Sequence, residues 1–189
     1  MKLNKKPDFN ILLFLLLYFF IKYAFYFYVG LTTPGGKLFV PFLKDYANFP
    51  YWLTLIASKS AKFLLEICGY NVYQKDAANI TIAGSRGVTI AWGCLGIGAI
   101  GLWIAFIVAH RKFSTANKLR WIISGVLLIF LVNIVRIDMI TLSNHYDWKY
   151  FQSFNAHTSF DILTYAIILV MMLIFILYYN KRKIRIDNA

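Results

Sequence analysis

The chain has 189 residues, which suits a single folded domain and leaves no room for a second one of ordinary size. Hydrophobic residues make up 60% of it and aromatic residues 19%, and the mean hydropathy is +0.61. A small soluble domain cannot bury this much apolar surface, so the composition excludes that class and predicts a membrane protein. The net charge of +12 does not indicate nucleic-acid binding, because the basic residues cluster at the ends of apolar runs.

The first apolar run, residues 9–31, is long enough to cross a bilayer core of about 30 Å. It is longer and more aromatic than a signal peptide, and it lacks a small-residue cleavage site near Tyr28. We therefore expect a retained membrane anchor. Residues 32–50 hold several prolines and glycines, which predict a loop.

Residues 51–70 have the pattern of an amphipathic helix. A polar stripe recurs at four-residue spacing and comprises Thr54, Ser58, Lys62 and Glu66. The charged residues argue against a membrane span and favour a helix that lies in the interface. Residues 72–90 alternate in polarity around a Gly-Ser-Arg-Gly turn, which predicts a short β-hairpin.

Three more apolar runs follow, at residues 88–109, 121–142 and 158–179. With the first run they predict about four transmembrane helices. We therefore expect one membrane domain over residues 1–189: an all-α integral membrane helix bundle with an extracytoplasmic segment at 32–87 that holds the interfacial helix and the hairpin.

The basic residues predict the orientation. The N-terminus, the 110–120 loop and the C-terminal tail hold eleven of the twenty Lys and Arg residues. Four spans place all three stretches on one side, which the positive-inside rule assigns to the cytoplasm. A fifth span at residues 51–70 would put the first stretch opposite the other two. We therefore expect a multi-pass protein of the cytoplasmic (inner) membrane, with both termini inside and the 143–157 loop outside.

Three polar or reactive side chains share one predicted depth. Cys94 lies 17 positions before Arg111, Arg136 lies 16 positions after Arg120, and Lys22 is equally far from Lys6. At about 1.5 Å of rise per residue, each lies roughly 25 Å from the cytoplasmic boundary, near the outer edge of the hydrocarbon.

Each of these residues also has an ordinary structural interpretation. A lone Cys in an apolar helix is usually inert packing, although the glycines around Cys94 allow a backbone or substrate to approach closely. Arg136 can reach the outer headgroups, but an intramembrane Arg is costly unless it faces protein or a wet cavity. Asn133, one turn earlier, is alternatively a contact between helices. Lys22 is better explained as an interfacial anchor.

A histidine starts the last span. His157 lies at its outer end, and Asp161, one turn later, can hold the imidazole in a useful tautomer. An ordinary interfacial histidine is the alternative. His145, in the same outer region, competes with His157 for the role of base.

Cys94, the Asn133-Ile134-Val135-Arg136 tetrad and His157 together resemble the exosortase/archaeosortase family of membrane cysteine transpeptidases. That family has a Cys at the outer start of a span, an Asn-x-x-Arg late in the next span and a His at the start of the one after. The resemblance covers roughly residues 69–179. The family usually follows its Cys with a small polar residue, and Leu95 stands there in this chain, so both a divergent and an inactive member fit.

The resemblance implies catalytic roles for Cys94, Arg136 and His157, with Asn133 and Asp161 in support. The thiolate attacks a peptide carbonyl, and the histidine acts first as base and then as acid. Arg136, a permanent cation, stabilises the oxyanion or steers a carboxylate. The implied substrates are secreted proteins whose C-terminus carries a short motif, an apolar span and a basic tail, and the acceptor is left open between water, lipid and glycan.

Two other functions fit the sequence. One is a non-catalytic membrane component, such as an assembly or polysaccharide-export partner. The other is an enzyme of lipid-linked substrates with His157 or His145 in a phosphoryl role. A Cys68–Cys94 disulfide is a further possibility if both residues face an oxidising side. We expect no cofactor, metal or nucleic-acid partner, because no metal-ligand spacing, phosphate loop or nucleotide fingerprint is present.

Overall fold

The computed structural model describes the backbone of residues 9–111, 113–148 and 156–187, and the side chains of these residues apart from 156–159 and 181–187. Within these ranges it has six α-helices and three short strands. The helices are α1 (Ile11–Thr32), α2 (Pro41–Tyr46), α3 (Phe49–Ile67), α4 (Ile97–Ala109), α5 (Thr115–His145) and α6 (Ala156–Asp187). The strands are β1 (Val72–Gln74), β2 (Asn79–Ile82) and β3 (Val88–Thr89).

Four of the described helical segments are long and apolar enough to cross a membrane. They are Ile11–Thr32, Trp92–Ala109, Thr115–His145 and Phe160–Asn180. Helix α3 is not among them. The predicted fold class, a membrane helix bundle of about four spans with one additional helix and a small β-structure, is confirmed.

Contacts at one end of the bundle establish that the spans alternate in direction. The backbone N–H of Asn10 donates to Ala109 O at 3.1 Å, which joins the start of α1 to the end of α4. The ring of His110 packs on Phe175 and Tyr179 of α6, with centroid distances of 4.9 and 5.8 Å. We call this the His110 end. The strands lie at the opposite end, the sheet end, where Ile80 and other buried strand residues pack against the last turns of α5.

Burial identifies α4 as the central span. Half of the residues in the Trp92–Ala109 span are buried inside the bundle. The buried share is 6% in the apolar stretch of α1 and 22% in that of α6. The ring of Trp103, on α4, is fully enclosed, and its indole N–H donates to Trp121 O at 2.9 Å. The outer helices therefore present Leu, Ile and Phe side chains to the surroundings, as lipid contact requires.

Helix α3 buries the first half of the polar stripe that the sequence indicates, while Lys62 and Glu66 remain accessible. Asn48 caps its start by accepting from Tyr51 N–H at 3.1 Å, and Gly69 ends it with a positive φ. Thr54 and Ser58 are 2% and 0% exposed, whereas Phe63 is 65% exposed. The helix therefore turns its small polar residues towards the protein and its large apolar residues outwards.

The β-structure is larger than the predicted hairpin. Strands β1 and β2 pair antiparallel with Tyr73 opposite Thr81, and β2 pairs antiparallel with β3 with Ile80 opposite Val88. Residue 88 thus belongs to a strand, and the prediction that the second span starts there is wrong. The span starts at Trp92, because the backbone N–H of Ile90 still donates to Ala78 O at 2.8 Å and extends the sheet pairing.

The turn between β1 and β2 is organised by Asp76. Its carboxylate accepts from the side-chain amide of Asn79 and from the backbone N–H of Ala78, and these hydrogen bonds hold the pKa of Asp76 below its ordinary value. A carboxyl with a depressed folded-state pKa stabilises the fold above its ordinary pKa and loses that contribution as the pH falls through the folded pKa.

Gly125 on α5 permits the close approach of α5 to α4. A Cβ at this position would overlap the indole of Trp103, whereas a Cβ at Gly98 would meet ordinary contact at 3.7 Å. We expect Gly125→Ala to lower the free energy of unfolding by about 1–3 kcal/mol relative to Gly98→Ala, because overpacking a well-packed core costs this much. Gly98→Ala adds the same methyl group without the overlap, so it serves as the control variant. Thermal unfolding in detergent measures the difference, and equal stabilities would contradict the packing.

Candidate active site

Cys94 lies in a tight turn between the sheet and α4. Residues Trp92–Leu95 form one turn of 3-10 helix, in which the backbone N–H of Cys94 donates to Ala91 O at 2.8 Å. Gly96 follows with φ +68°, and α4 begins at Ile97. Because only Gly adopts this φ without strain, Gly96 lets the chain change direction directly after the thiol.

Gly96 also determines how closely α5 approaches the turn. Any Cβ at position 96 would overlap the side-chain amide of Asn133. The amide of Asn133 therefore lies directly on the backbone of the Cys94 turn. Gly96 thus contacts Asn133, the first residue of the Asn-x-x-Arg tetrad. Neither motif predicts this contact alone.

Arg136, one turn further along α5, forms an ion pair with α6. Its Nη1 lies 2.8 Å from Oδ1 of Asp161, and the side chain of Arg136 is only 6% exposed. An arginine at membrane depth is stable when it faces protein and a counter-charge, and this arrangement supplies both. The sequence predicted Asp161 as a partner of His157, whereas the partner observed among the described side chains is Arg136.

A polar cavity of about 140 Å³ lies where the four spans meet. Arg136 and Asp161 line it together with Lys22 of α1. Gly93 and Gly96, on either side of Cys94, form part of its wall. The cavity therefore holds two cationic groups and one carboxylate next to the backbone of the cysteine turn.

A second cavity, of about 200 Å³, lies on the other side of the turn between α3, α4 and α5. Cys94 itself lines it, and the remaining wall is almost entirely apolar, with Ala57 of α3 and Phe130 of α5 among the lining residues. Leu95 also lines this cavity and is buried. Where the family usually has a small polar residue after its Cys, Leu95 thus extends the apolar surface beside the thiol.

Asn133 lies between the two cavities. It is the one described residue that lines both, and it is 3% exposed. The thiol of Cys94 and the guanidinium of Arg136 are thus on neighbouring cavities with a shared amide between them. The structure brings Cys94, Asn133, Arg136 and Asp161 together at one level of the bundle.

The two candidate histidines differ in position. His157 is in the first turn of α6, four residues before Asp161, and its side chain lies outside the described part of the chain. His145 ends α5 nine residues after Arg136, about 13 Å along the helix axis. Its ring packs edge-on against Tyr70 at 6.0 Å, and it lines neither cavity. The role of His157 as base stays a prediction.

The family model of transmembrane exosortases (Exosortase_EpsH) matches residues 9–174, which is most of the chain. The chain belongs to the transmembrane exosortase family. No curated protein and no solved structure matches the chain. The match covers the first three spans of this exosortase and most of the fourth, and its limits include Cys94, Arg136 and His157.

Two features of this exosortase's interior were missed in the sequence. Lys22 shares the depth of Arg136, but the sequence alone favoured an anchor, whereas the structure has it in the wall of the polar cavity. Asp138 is 5% exposed and its carboxylate has no hydrogen-bond partner among the described residues. An acidic residue two positions after an intramembrane arginine was the available signal.

The two cysteines of the exosortase differ in environment. Cys68 is exposed at the end of α3, Cys94 is buried, and both are free thiols. The alternative of a Cys68–Cys94 disulfide is therefore not realised in this structure. Cys68 consequently serves as a natural reference thiol for experiments on Cys94.

The ion pair of Arg136 and Asp161 makes a measurable contribution to the stability of the exosortase. In a double-mutant cycle of Arg136→Gln and Asp161→Asn, we expect a coupling free energy of about 1–3 kcal/mol, because the guanidinium is buried. The more exposed Lys62–Glu66 pair, at 3.6 Å on α3, is the control and should give about 0.3–0.5 kcal/mol. Unfolding of the purified protein in detergent measures both, and equal couplings would contradict an effect of burying the guanidinium of Arg136.

Proposed function

We propose that this exosortase is a membrane-embedded cysteine protease and transpeptidase that cleaves C-terminal sorting signals of secreted proteins. The observation that carries the proposal is the junction at Asn133, where the cysteine turn meets Arg136 within a chain of this family. The apolar cavity beside the thiol and the charged cavity beside the guanidinium together form a site with room for a peptide.

The chemistry begins with transfer of the Cys94 thiol proton to His157, the proposed base. The thiolate then attacks the carbonyl carbon of the scissile peptide, a C–S bond forms, and the carbonyl π electrons move to oxygen. When the tetrahedral intermediate collapses, the C–N bond breaks and His157 returns the proton to the leaving amine. The acyl group remains on Cys94 as a thioester until an acceptor nucleophile releases it.

Arg136 contributes charge and not a proton, because a guanidinium stays protonated at any working pH. Its side chain is held by Asp161 in the wall of the polar cavity. From there it stabilises the developing oxyanion or steers a substrate carboxylate. Asp161 orients Arg136 and so acts on the reaction indirectly.

The proposed substrates end in a short motif, an apolar span and a basic tail. Such a span would lie in the bilayer beside the four spans of the enzyme, and its basic tail would remain at the His110 end, near the enzyme's own basic residues. The motif would then reach the level of Cys94. Water, a lipid or a glycan would release the acyl group.

The proposed location is the cytoplasmic (inner) membrane, with both termini inside and the site facing outward. Two facts support this orientation. The start of α1, the end of α4 and the C-terminal part of α6 meet at the His110 end. The short basic stretches of the sequence flank the same helix ends, and the positive-inside rule assigns such an end to the cytoplasm.

Cys94→Ser is expected to abolish processing, because a hydroxyl is a far weaker nucleophile than a thiolate. In cells that depend on this exosortase, mass spectrometry of C-terminal peptides should find trimmed secreted proteins with the wild type and intact tails with Cys94→Ser. Cys68→Ser is the matched control and should process normally. Trapping of a thioester between Cys94 and a new C-terminus would establish the intermediate.

Membrane insertion of Cys94→Ser should equal that of the wild type, so lost processing would not reflect lost protein. Normal trimming by an inserted Cys94→Ser protein would refute the proposed enzyme. It would instead favour a non-catalytic membrane component.

The proposed orientation predicts which loops are accessible from outside the cell. Arg86 lies in the exposed turn before β3, and Ser114 precedes α5 at the His110 end. In a protein whose own cysteines are replaced by serine, Arg86→Cys should react with a membrane-impermeant maleimide in intact cells. Ser114→Cys should react only after permeabilisation. The reverse result would place the site on the cytoplasmic side.

A further inference from the structure

The amide of Asn133 is the most unusual polar group near the thiol. It is almost completely buried, and neither its nitrogen nor its oxygen has a hydrogen-bond partner among the described residues. Buried side-chain amides are normally hydrogen-bonded, so an amide with both groups unpaired is exceptional. The position of this amide thus points to a ligand that supplies the missing partners.

Two contacts fix where that ligand would bind. The amide lies on the backbone of Gly96, so it cannot move towards the cysteine turn. It also lines the apolar cavity that holds Cys94, and it is the only amide side chain described there. A group that occupies this cavity therefore has both the thiol and the amide in its wall.

The chemistry of an amide restricts the class of ligand. Its NH₂ donates and its carbonyl oxygen accepts, which matches a peptide group with its C=O and N–H. A phosphate or a lipid ester offers acceptors alone. The surrounding apolar wall suits an apolar group attached to the reacting carbonyl, since a cavity of about 150 Å³ lined by apolar side chains binds benzene.

We propose that Asn133 is a catalytic residue whose side-chain N–H donates to the carbonyl oxygen attacked by Cys94. The inference rests on the proposed function. As the C–S bond forms, the carbonyl π electrons move to oxygen, and Asn133 stabilises that oxyanion until the leaving group departs. Arg136, which lines the neighbouring cavity and is held by Asp161, is then the residue that steers a substrate carboxylate.

The test separates acylation from simple access to the thiol. Full-length protein with Cys68→Ser, in which Cys94 is the remaining cysteine, is treated in detergent with p-nitrophenyl butyrate, and release of p-nitrophenolate is followed. Acylation by this ester passes through an oxyanion. Alkylation by iodoacetamide, measured on the same protein, is a direct displacement at carbon without an oxyanion.

Asn133→Leu is the informative variant, because leucine has nearly the shape of asparagine and keeps the packing against Gly96. We expect acylation to fall about 10²–10³-fold, as it does when one oxyanion donor is removed. Alkylation should remain unchanged. Thermal stability should stay the same or rise, since an unpaired buried amide is replaced by an apolar group.

Thr141→Val is the matched control. Thr141 is a fully buried polar residue of the same helix and lies outside both cavities, where its hydroxyl donates to Ile137 O. We expect it to leave both rates unchanged. Asn133→Ala serves as a second variant if Asn133→Leu fails to insert.

Each outcome decides the inference. A fall in acylation alone supports it. Equal falls in acylation and alkylation would assign Asn133 to packing and overturn it, as would unchanged acylation. If wild-type Cys94 is not acylated at all while the ester is present in excess, the nucleophile itself is wrong and the proposed function falls with the inference. Normal acylation of Cys94 in both proteins refutes the role of Asn133 alone.

Discussion

The contact between Gly96 and Asn133 sets the relation between the cysteine turn and the rest of the bundle. A left-handed glycine directly after Leu95 lets the backbone approach α5 so closely that any side chain at position 96 would overlap Asn133. The amide that fills this contact belongs to the helix that carries Arg136. One close approach therefore places a thiol and a guanidinium at the same level, although Arg136 lies 42 positions after Cys94 in the chain. The bundle around it provides the rigidity that such a site needs.

The two cavities that flank Asn133 differ in chemistry. The apolar cavity borders the thiol. The charged cavity is lined by the ion-paired guanidinium of Arg136 and by the amine of Lys22. In a low-dielectric membrane this separation matters, because a cation beside the thiol acts over a longer range than it would in water. A peptide that lies across Asn133 would contact both environments at once.

Helix α3 and the sheet close the site at the sheet end. Ser58 accepts from the side chain of Gln74 at 2.8 Å, which ties α3 to β1, and Ala57 of the same face lines the cavity of Cys94. The small residues on this face of α3 let it lie close to the cysteine turn, while its large apolar residues face outwards. Helix α3 is therefore a wall of the cavity that holds Cys94.

The sequence by itself determined the class of protein and the number of spans, because apolar run length depends on local chemistry alone. Helical rise also predicted one shared depth for Cys94 and Arg136. It misplaced the start of the second span, since whether residues 88–90 continue a helix or pair with a strand depends on where β2 lies. It also could not assign Lys22 to a cavity, nor Asp161 to Arg136. Those assignments depend on which sides of the helices contact each other. Four apolar helices can pack with several different rotations about their own axes. Tertiary packing decided the rotation, and in the observed one Asn133 lies on Gly96 while Arg136 reaches the carboxylate of Asp161.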